Sequence, residues 1–231
     1  MVDETLASMV ATAIRLLTVE GLMDFNGHLS VRVGKNGGHL LINPRHVSRS
    51  ILKAKDIVEV DLHGKLVKGG LEPPSETPIH TAIYRQRQDV TSVAHIHPMI
   101  ATAFSIAQVP IVPVFMLGCL FDSVPVYDKP HLIRTDELGD ELAESLGGAR
   151  AALMRGHGAV VVGESVEAVF TACIWFEENA KKLLTARQIQ GNIKAFSREE
   201  VERMKRDLWR PETILKTWDY YVEKGKRTGV L

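Results

Sequence analysis

A chain of 231 residues with 45% apolar and 24% charged side chains suits one globular domain, residues 1–231. It can bury roughly 70% of its unfolded surface without staples. Its 28 basic and 28 acidic residues cancel, removing the long-range field that draws a protein to nucleic acid or an anionic membrane. No apolar run approaches the about 20 residues of a membrane span. The acidic residues 1–10 do not read as a secretory leader, so a cytoplasmic protein is expected.

Leu6, Met9, Val10, Ala13, Leu16 and Leu17 recur at helical spacing until Gly21, which predicts a helix over 4–20. A β-rich stretch follows. Leu29, Val31 and Val33 alternate, Gly37–Gly38 turn the chain into His39–Asn43, and Ile57–Leu62 alternates again up to a turn at His63–Gly64 before Lys65–Lys68. Short strands with tight turns predict antiparallel pairing. Ser75 is placed to cap a helix over Glu76–Arg87, with Pro78 tolerated in its first turn.

Val90–His97 reads as a strand and Ala101–Ser105 as the start of a short helix. Pro110–Phe115, apolar and broken by proline, predicts a short or edge strand. Asp136–Leu146 is an amphipathic helix ending at Gly147–Gly148, and Ala151–Met154 and Ala159–Val162 flank Arg155-Gly156-His157-Gly158, as two strands around a tight turn or as one interrupted strand. The longest helix runs from Ser165 to about Gln190, with Val169, Phe170, Cys173, Ile174, Phe176, Leu183 and Leu184 as its stripe. Ser197 and Glu200 form a capping box for the last helix. Trp209, Trp218, Tyr220 and Tyr221 mark the tail, about 208–231, as a segment that docks, on a neighbouring subunit if the chain is oligomeric. Cys119 and Cys173 lie in apolar surroundings without metal-ligand spacing and read as buried thiols of a reducing compartment.

The chemistry concentrates in histidines. In Ala94-His95-Ile96-His97-Pro98, positions i and i+2 of a strand share a face, so two imidazoles can chelate one ion, although the same triplet also occurs in strands without metal. His157, between two glycines, is either a third ligand on a sharp turn or simply a turn histidine. Three histidines with open positions make a catalytic geometry rather than a closed structural one. Glu76 is a fourth ligand, a general acid/base, or an acid favoured by the helix dipole.

Taken in order, Asn26-Gly27-His28-Leu29-Ser30, Leu41-Ile42-Asn43-Pro44, Pro74-Ser75-Glu76, His95-Ile96-His97 and Gly156-His157-Gly158 closely resemble the class II aldolase/adducin family over almost the whole chain. The resemblance implies a three-layer α/β/α fold around a largely antiparallel sheet. It also implies a homotetramer with active sites between subunits. By the same match His95, His97 and His157 bind one divalent ion and Glu76 is the acid/base. The ion would be Zn²⁺ or Mn²⁺, with Fe²⁺ a weaker option. Tyr220 and Tyr221 are the tail residues that would reach a neighbouring site.

The departures from the sugar-phosphate aldolases narrow the substrate. Phe25 and Pro74 stand where those enzymes carry hydroxyl donors for phosphate, Arg45-His46 replace a hydroxyl–glycine pair, and Phe115 stands near a proton-donating tyrosine. Phosphate needs several converging donors. A cationic and aromatic pocket of Asn26, His28, Arg45, His46, Ser75 and Phe115, with Arg49 beside it, instead suits a planar carboxylate on a flat ring. This pattern resembles the family branch that decarboxylates hydroxylated aromatic dicarboxylates. The expectation is therefore a metal-dependent lyase acting on a small-molecule carboxylate, with Glu76 or His28 delivering a proton. The alternatives are an aldolase or epimerase acting on a sugar, an adducin-like binding module without catalysis, and a ring-cleaving or oxygen-using iron enzyme.

Overall fold

The computed structural model describes residues 3–34 and 37–231, with Gln190 described in its backbone alone. Eight strands form one sheet in the order β4-β3-β2-β1-β5-β8-β7-β6. They are β1 (His28–Val33), β2 (His39–Ile42), β3 (Val58–Asp61), β4 (Leu66–Lys68), β5 (Ser92–Ile96), β6 (Val126–Tyr127), β7 (Ala151–Met154) and β8 (Gly158–Gly163). Every pairing is antiparallel except β6 on β7.

Strand alternation divides the core in two. Leu29, Val31, Leu41, Ala94, Ile96, Ala159 and Val161 turn toward α1 (Glu4–Val19), α3 (Met99–Ala107) and α5 (Val166–Gln190). Leu40, Ile42, Val58, Val60, Val93, Val160 and Val162 turn toward α2 (Thr77–Gln86) and α4 (Asp136–Leu146). The result is the expected three-layer α/β/α arrangement around a mostly antiparallel sheet. The first turns of α5 are buried nearly all round, because α1, α3 and the sheet surround them and α7 (Pro211–Arg227) covers the remaining side. Both cysteines are buried thiols, as their settings predict.

Three local expectations need correction. Pro110–Phe115 forms no strand: prolines interrupt the donors, and the Asn179 side chain takes their place. Its Oδ1 accepts from Val114 N at 3.1 Å and its Nδ2 donates to the Val112 carbonyl at 3.0 Å. The edge strand is Val126–Tyr127 instead. Ser75 does not cap α2. The helix begins at Thr77, whose hydroxyl donates to the Pro74 carbonyl, and Glu76 holds the cap position with its carboxylate turned elsewhere. The Ser197–Glu200 capping box does start α6 (Arg198–Leu208), but α6 is not the last helix. After it, α7 packs on α5 of its own chain, with Trp218 and Tyr221 edge-on to Phe170 at 5.3 and 5.4 Å. Tyr220 stays exposed.

A buried carboxylate supports α3. Its cap residue is Pro98, which offers no side-chain acceptor, so Glu177 of α5 accepts from Ile100 N and Ala101 N, both at 2.9 Å. At the crossing of β5 and β8 the backbones approach so closely that a Cβ on Gly158 would meet the Ile96 carbonyl oxygen and lie 2.8 Å from His97 Cδ2. Gly158→Ala is therefore expected to cost about 1–3 kcal/mol of stability through overpacking. Gly148→Ala, with nothing within 4 Å, is the control and should shift the urea midpoint little.

Candidate metal centre

The register places the histidines. β1 pairs with β5 so that His28 lies opposite His95, and both side chains point to the α2 layer. His97 follows directly after β5, its N–H donating to the Leu22 carbonyl at 2.8 Å. His157 arrives from the β7–β8 turn, where Gly156 takes φ +66° and its N–H donates to Ser105 Oγ at 3.0 Å. Potential ligand atoms of His95, His97 and His157 lie within 4.8 Å of one another. Glu76 Oε2 stands 3.7 Å from His157 Nε2 and 4.0 Å from His95 Nε2.

The hydrogen bonds behind the rings fit these nitrogens for a cation. His95 Nδ1 is 3.1 Å from the Ala159 carbonyl, which can only accept, so that nitrogen carries the hydrogen and Nε2 carries a lone pair. His97 Nδ1 is 3.0 Å from the Asp24 carboxylate, an acceptor that places a ring hydrogen on Nδ1 and turns Nε2 to the ion in the same sense. The two Nε2 atoms then face each other at 3.1 Å. Two lone pairs at that distance repel unless a positive charge lies between them. Nitrogens bound tetrahedrally to one ion would be roughly 3.4 Å apart. The donor set therefore fits a divalent cation, and three imidazoles leave coordination positions open.

Burial keeps the His95 and His157 rings neutral. It holds His95 well below the ordinary histidine range, since a second positive charge beside His97 and His157 would also be repelled, and lowers His157 to about 4. Glu76 moves the other way. Its burial raises the carboxyl, and the Ile133 N–H, donating to Oε1 at 2.9 Å, opposes this without cancelling it. A carboxyl poised upward beside a cation site can both carry and accept a proton.

His28 belongs to this cluster: it, Glu76 and His95 also offer donors within 4.8 Å of one another. Ser75 is half-buried next to Glu76, and Asn26 lies on the exposed turn before His28, its N–H donating to Asp24 Oδ1 at 2.7 Å. Arg45 and His46 are engaged elsewhere, both on Glu72 at 3.1 and 3.4 Å. Arg49 is buried and holds its loop by donating to the carbonyls of Gly27, Pro44, Arg45 and Val47. Phe115 lines the groove between α5 and α7 beneath the Lys182 ammonium, 4.1 Å from the ring centre.

Four contributors escape the sequence motifs: Asp24, His80, Tyr84 and Arg134. His80 follows Glu76 by one helical turn, a spacing that puts both on one face of α2 and was the available signal. Arg134 adjoins the Ile133 amide that holds Glu76. It is exposed, its charge lowers the Glu76 carboxyl, and no acid pairs with it among the described residues.

Two predictions follow from this geometry. Asp24→Asn should weaken ion binding toward the low end of about 10–100-fold, because Asp24 is half in water, as read by chelator competition. His80, pushed down to about 3 by burial, and His157 stay neutral in the fold at pH values where the unfolded chain protonates near 6.5. Above pH 6.5 they contribute nothing to pH dependence. Below it, stability of the ion-free protein should fall by about 1.4 kcal/mol per pH unit for each ring, until the folded ring itself protonates. A flat urea-unfolding profile from pH 7 to 5 would contradict this.

Comparison with known proteins agrees with the architecture. The chain is 33% identical over 203 residues to the 3,4-dihydroxyphthalate decarboxylase of Arthrobacter keyseri, covering 80% of each chain. It is 32% identical over 168 residues to human gamma-adducin, covering 70% of this chain but 24% of that protein. The L-fuculose 1-phosphate aldolase of Glaciozyma antarctica superposes with a TM-score of 0.84 at 21% identity, over 98% of this chain and 90% of the other. Residues 8–184 match the class II aldolase and adducin N-terminal domain, and the chain belongs to that family.

Proposed function

We propose that this protein is a divalent-metal-dependent lyase that decarboxylates a hydroxylated aromatic dicarboxylate. The observation that carries the reading is the convergence of three imidazole nitrogens with the buried, upward-shifted Glu76. Similarity to a 3,4-dihydroxyphthalate decarboxylase supports the choice among lyases. His95, His97 and His157 would hold the ion, either Zn²⁺ or Mn²⁺. When bound, it supplies Lewis-acid stabilisation of negative charge on a substrate oxygen.

The protein's own groups supply the rest. As the bond to the departing carboxylate carbon breaks, its electron pair stays on the ring carbon and carbon dioxide leaves. That ring carbon then takes a proton, for which Glu76 and His28, whose donor atoms cluster with that of His95, are the candidate groups. Phe25, Pro74 and the engaged Arg49 leave few donors for a phosphate. Arg134, without an acidic partner among the described residues and next to the Glu76 anchor, is suited to hold the carboxylate that is retained. Arg45 would first have to leave Glu72. Asn26, two residues before His28, and Ser75, next to Glu76, are further candidates to touch the substrate. A homotetramer with sites between subunits is supported by apolar residues near the centre that one chain leaves in water, Phe25 at 83% and Met99 at 74% exposure.

The decisive experiment assays the Zn²⁺- or Mn²⁺-loaded protein against hydroxylated benzene and pyridine dicarboxylates by a coupled carbon dioxide readout. Metal-dependent release is expected. Silence on that panel, with aldehyde released from an unphosphorylated sugar, would replace the reading by an aldolase. Glu76→Gln should lower kcat by about 10²–10⁴-fold. Arg134→Ala should raise KM with kcat little changed, and unaltered kinetics would remove Arg134 from the pocket.

A further inference from the structure

Two overlapping groups of donors meet at His95: His95, His97 and His157 form one, and His28, Glu76 and His95 the other. Whether His28 can join the ion depends on which of its ring nitrogens carries the hydrogen. That is set on the far side of the His28 ring. His28 Nδ1 lies 2.7 Å from His80 Nε2, His80 Nδ1 lies 2.7 Å from Ser30 Oγ, and Ser30 Oγ lies 2.8 Å from the Tyr84 hydroxyl. All four side chains are buried. With neutral rings, each of the four groups has one hydrogen, so the line can be bonded in either of two directions.

The far end fixes the direction. The Tyr84 hydroxyl has two neighbours able to accept its hydrogen, Ser30 Oγ at 2.8 Å and the Thr91 carbonyl at 3.3 Å. The Thr91 carbonyl already accepts from Arg32 N at 2.7 Å and needs nothing further, so the Tyr84 hydrogen goes to the shorter contact, Ser30 Oγ. Ser30 must then donate to His80 Nδ1. His80 donates from Nε2 to His28 Nδ1, and the hydrogen of His28 is left on Nε2. The near end agrees, because the Glu76 carboxylate lies within 4.8 Å of a His28 ring nitrogen, an acceptor that favours a facing N–H over a lone pair.

We propose that Tyr84, Ser30 and His80 are positioning residues that hold His28 as its Nε2–H tautomer, making it a hydrogen-bond donor to a substrate oxygen and keeping it out of the ion's ligand set. This rests on the decarboxylase reading for the identity of that oxygen, a carboxylate or ring hydroxyl. It also divides the labour at the site. A neutral imidazole that lost its hydrogen would become an imidazolate, so delivery of a proton to carbon falls to Glu76.

The test is ¹⁵N NMR of histidine-labelled, Zn²⁺-loaded protein, with His28 assigned by comparison with His28→Gln. The expected signature is a hydrogen-bearing Nε2 and a bare Nδ1 on His28, unchanged between zinc-free and zinc-loaded samples, while His95 Nε2 shifts on loading. A hydrogen on Nδ1, or a zinc-induced shift of His28 Nε2 matching that of His95, would overturn the proposal. Ser30→Ala should give mixed His28 tautomers and raise KM about tenfold, the effect of losing one well-placed donor. One zinc per chain should remain, and Ser30→Thr should restore the signature. Unchanged His28 nitrogens in Ser30→Ala would show that the chain of side chains does not set the tautomer. The spectrum needs no substrate, so an inactive carbon dioxide assay would overturn the decarboxylase reading without touching this one.

Discussion

The position of β5 between β1 and β8 governs the centre. Antiparallel register puts His28 across from His95, and β8 brings the Ala159 carbonyl behind His95, fixing which of its nitrogens faces the cavity. The same pairing brings the β7–β8 turn, and with it His157, to the end of β5 where His97 emerges. A one-residue slip of β5 would send His95 to the opposite layer. The two apolar cores, one on each face, oppose that slip because it would also exchange Val93 for Ala94.

Placing so many polar groups inside a protein is costly unless each finds a partner. Here backbone and side chains supply them. Glu177 covers the start of α3, Asn179 covers the proline-broken segment before Phe115, Arg49 holds the loop around Pro44, and Glu76 is held by Ile133. Buried charge is handled by neutralisation. The rings of His28, His80 and His95 are kept neutral by burial, and neutral imidazole is the form that binds an ion or passes hydrogen bonds along a line. The exposed face differs, since ion pairs such as Arg45–Glu72 lie in water and contribute little to stability.

Evolutionary kinship and local chemistry constrain function at different levels. The family fold is shared by proteins with lyase names and by adducin, so the fold alone does not select a reaction. Under the decarboxylase reading, the selection comes from the few groups around the histidines. Glu76 turned away from its own helix, Arg134 without an acid partner among the described residues and His28 backed by His80 are features of the site rather than of the fold.

The sequence by itself determined the strands β1, β2, β3, β5, β7 and β8, the long α5 and the capped α6, and it singled out His95, His97, His157 and Glu76, which the fold brings together. These are legible because alternation, caps and a His-x-His triplet are local patterns. Tertiary structure alone decided what no local pattern encodes. Prolines at 110 and 113 end a strand-like apolar run because Asn179, 66 positions after Pro113, replaces the missing ladder. Arg45 and Arg49 look alike in sequence, yet one rests on Glu72 and the other is buried among carbonyls. Ser30, His80 and Tyr84 are an ordinary serine, histidine and tyrosine until β1 and α2 pack together. Hydrogen-bond direction depends on which groups meet in space, and only the folded chain brings them within 3 Å of each other.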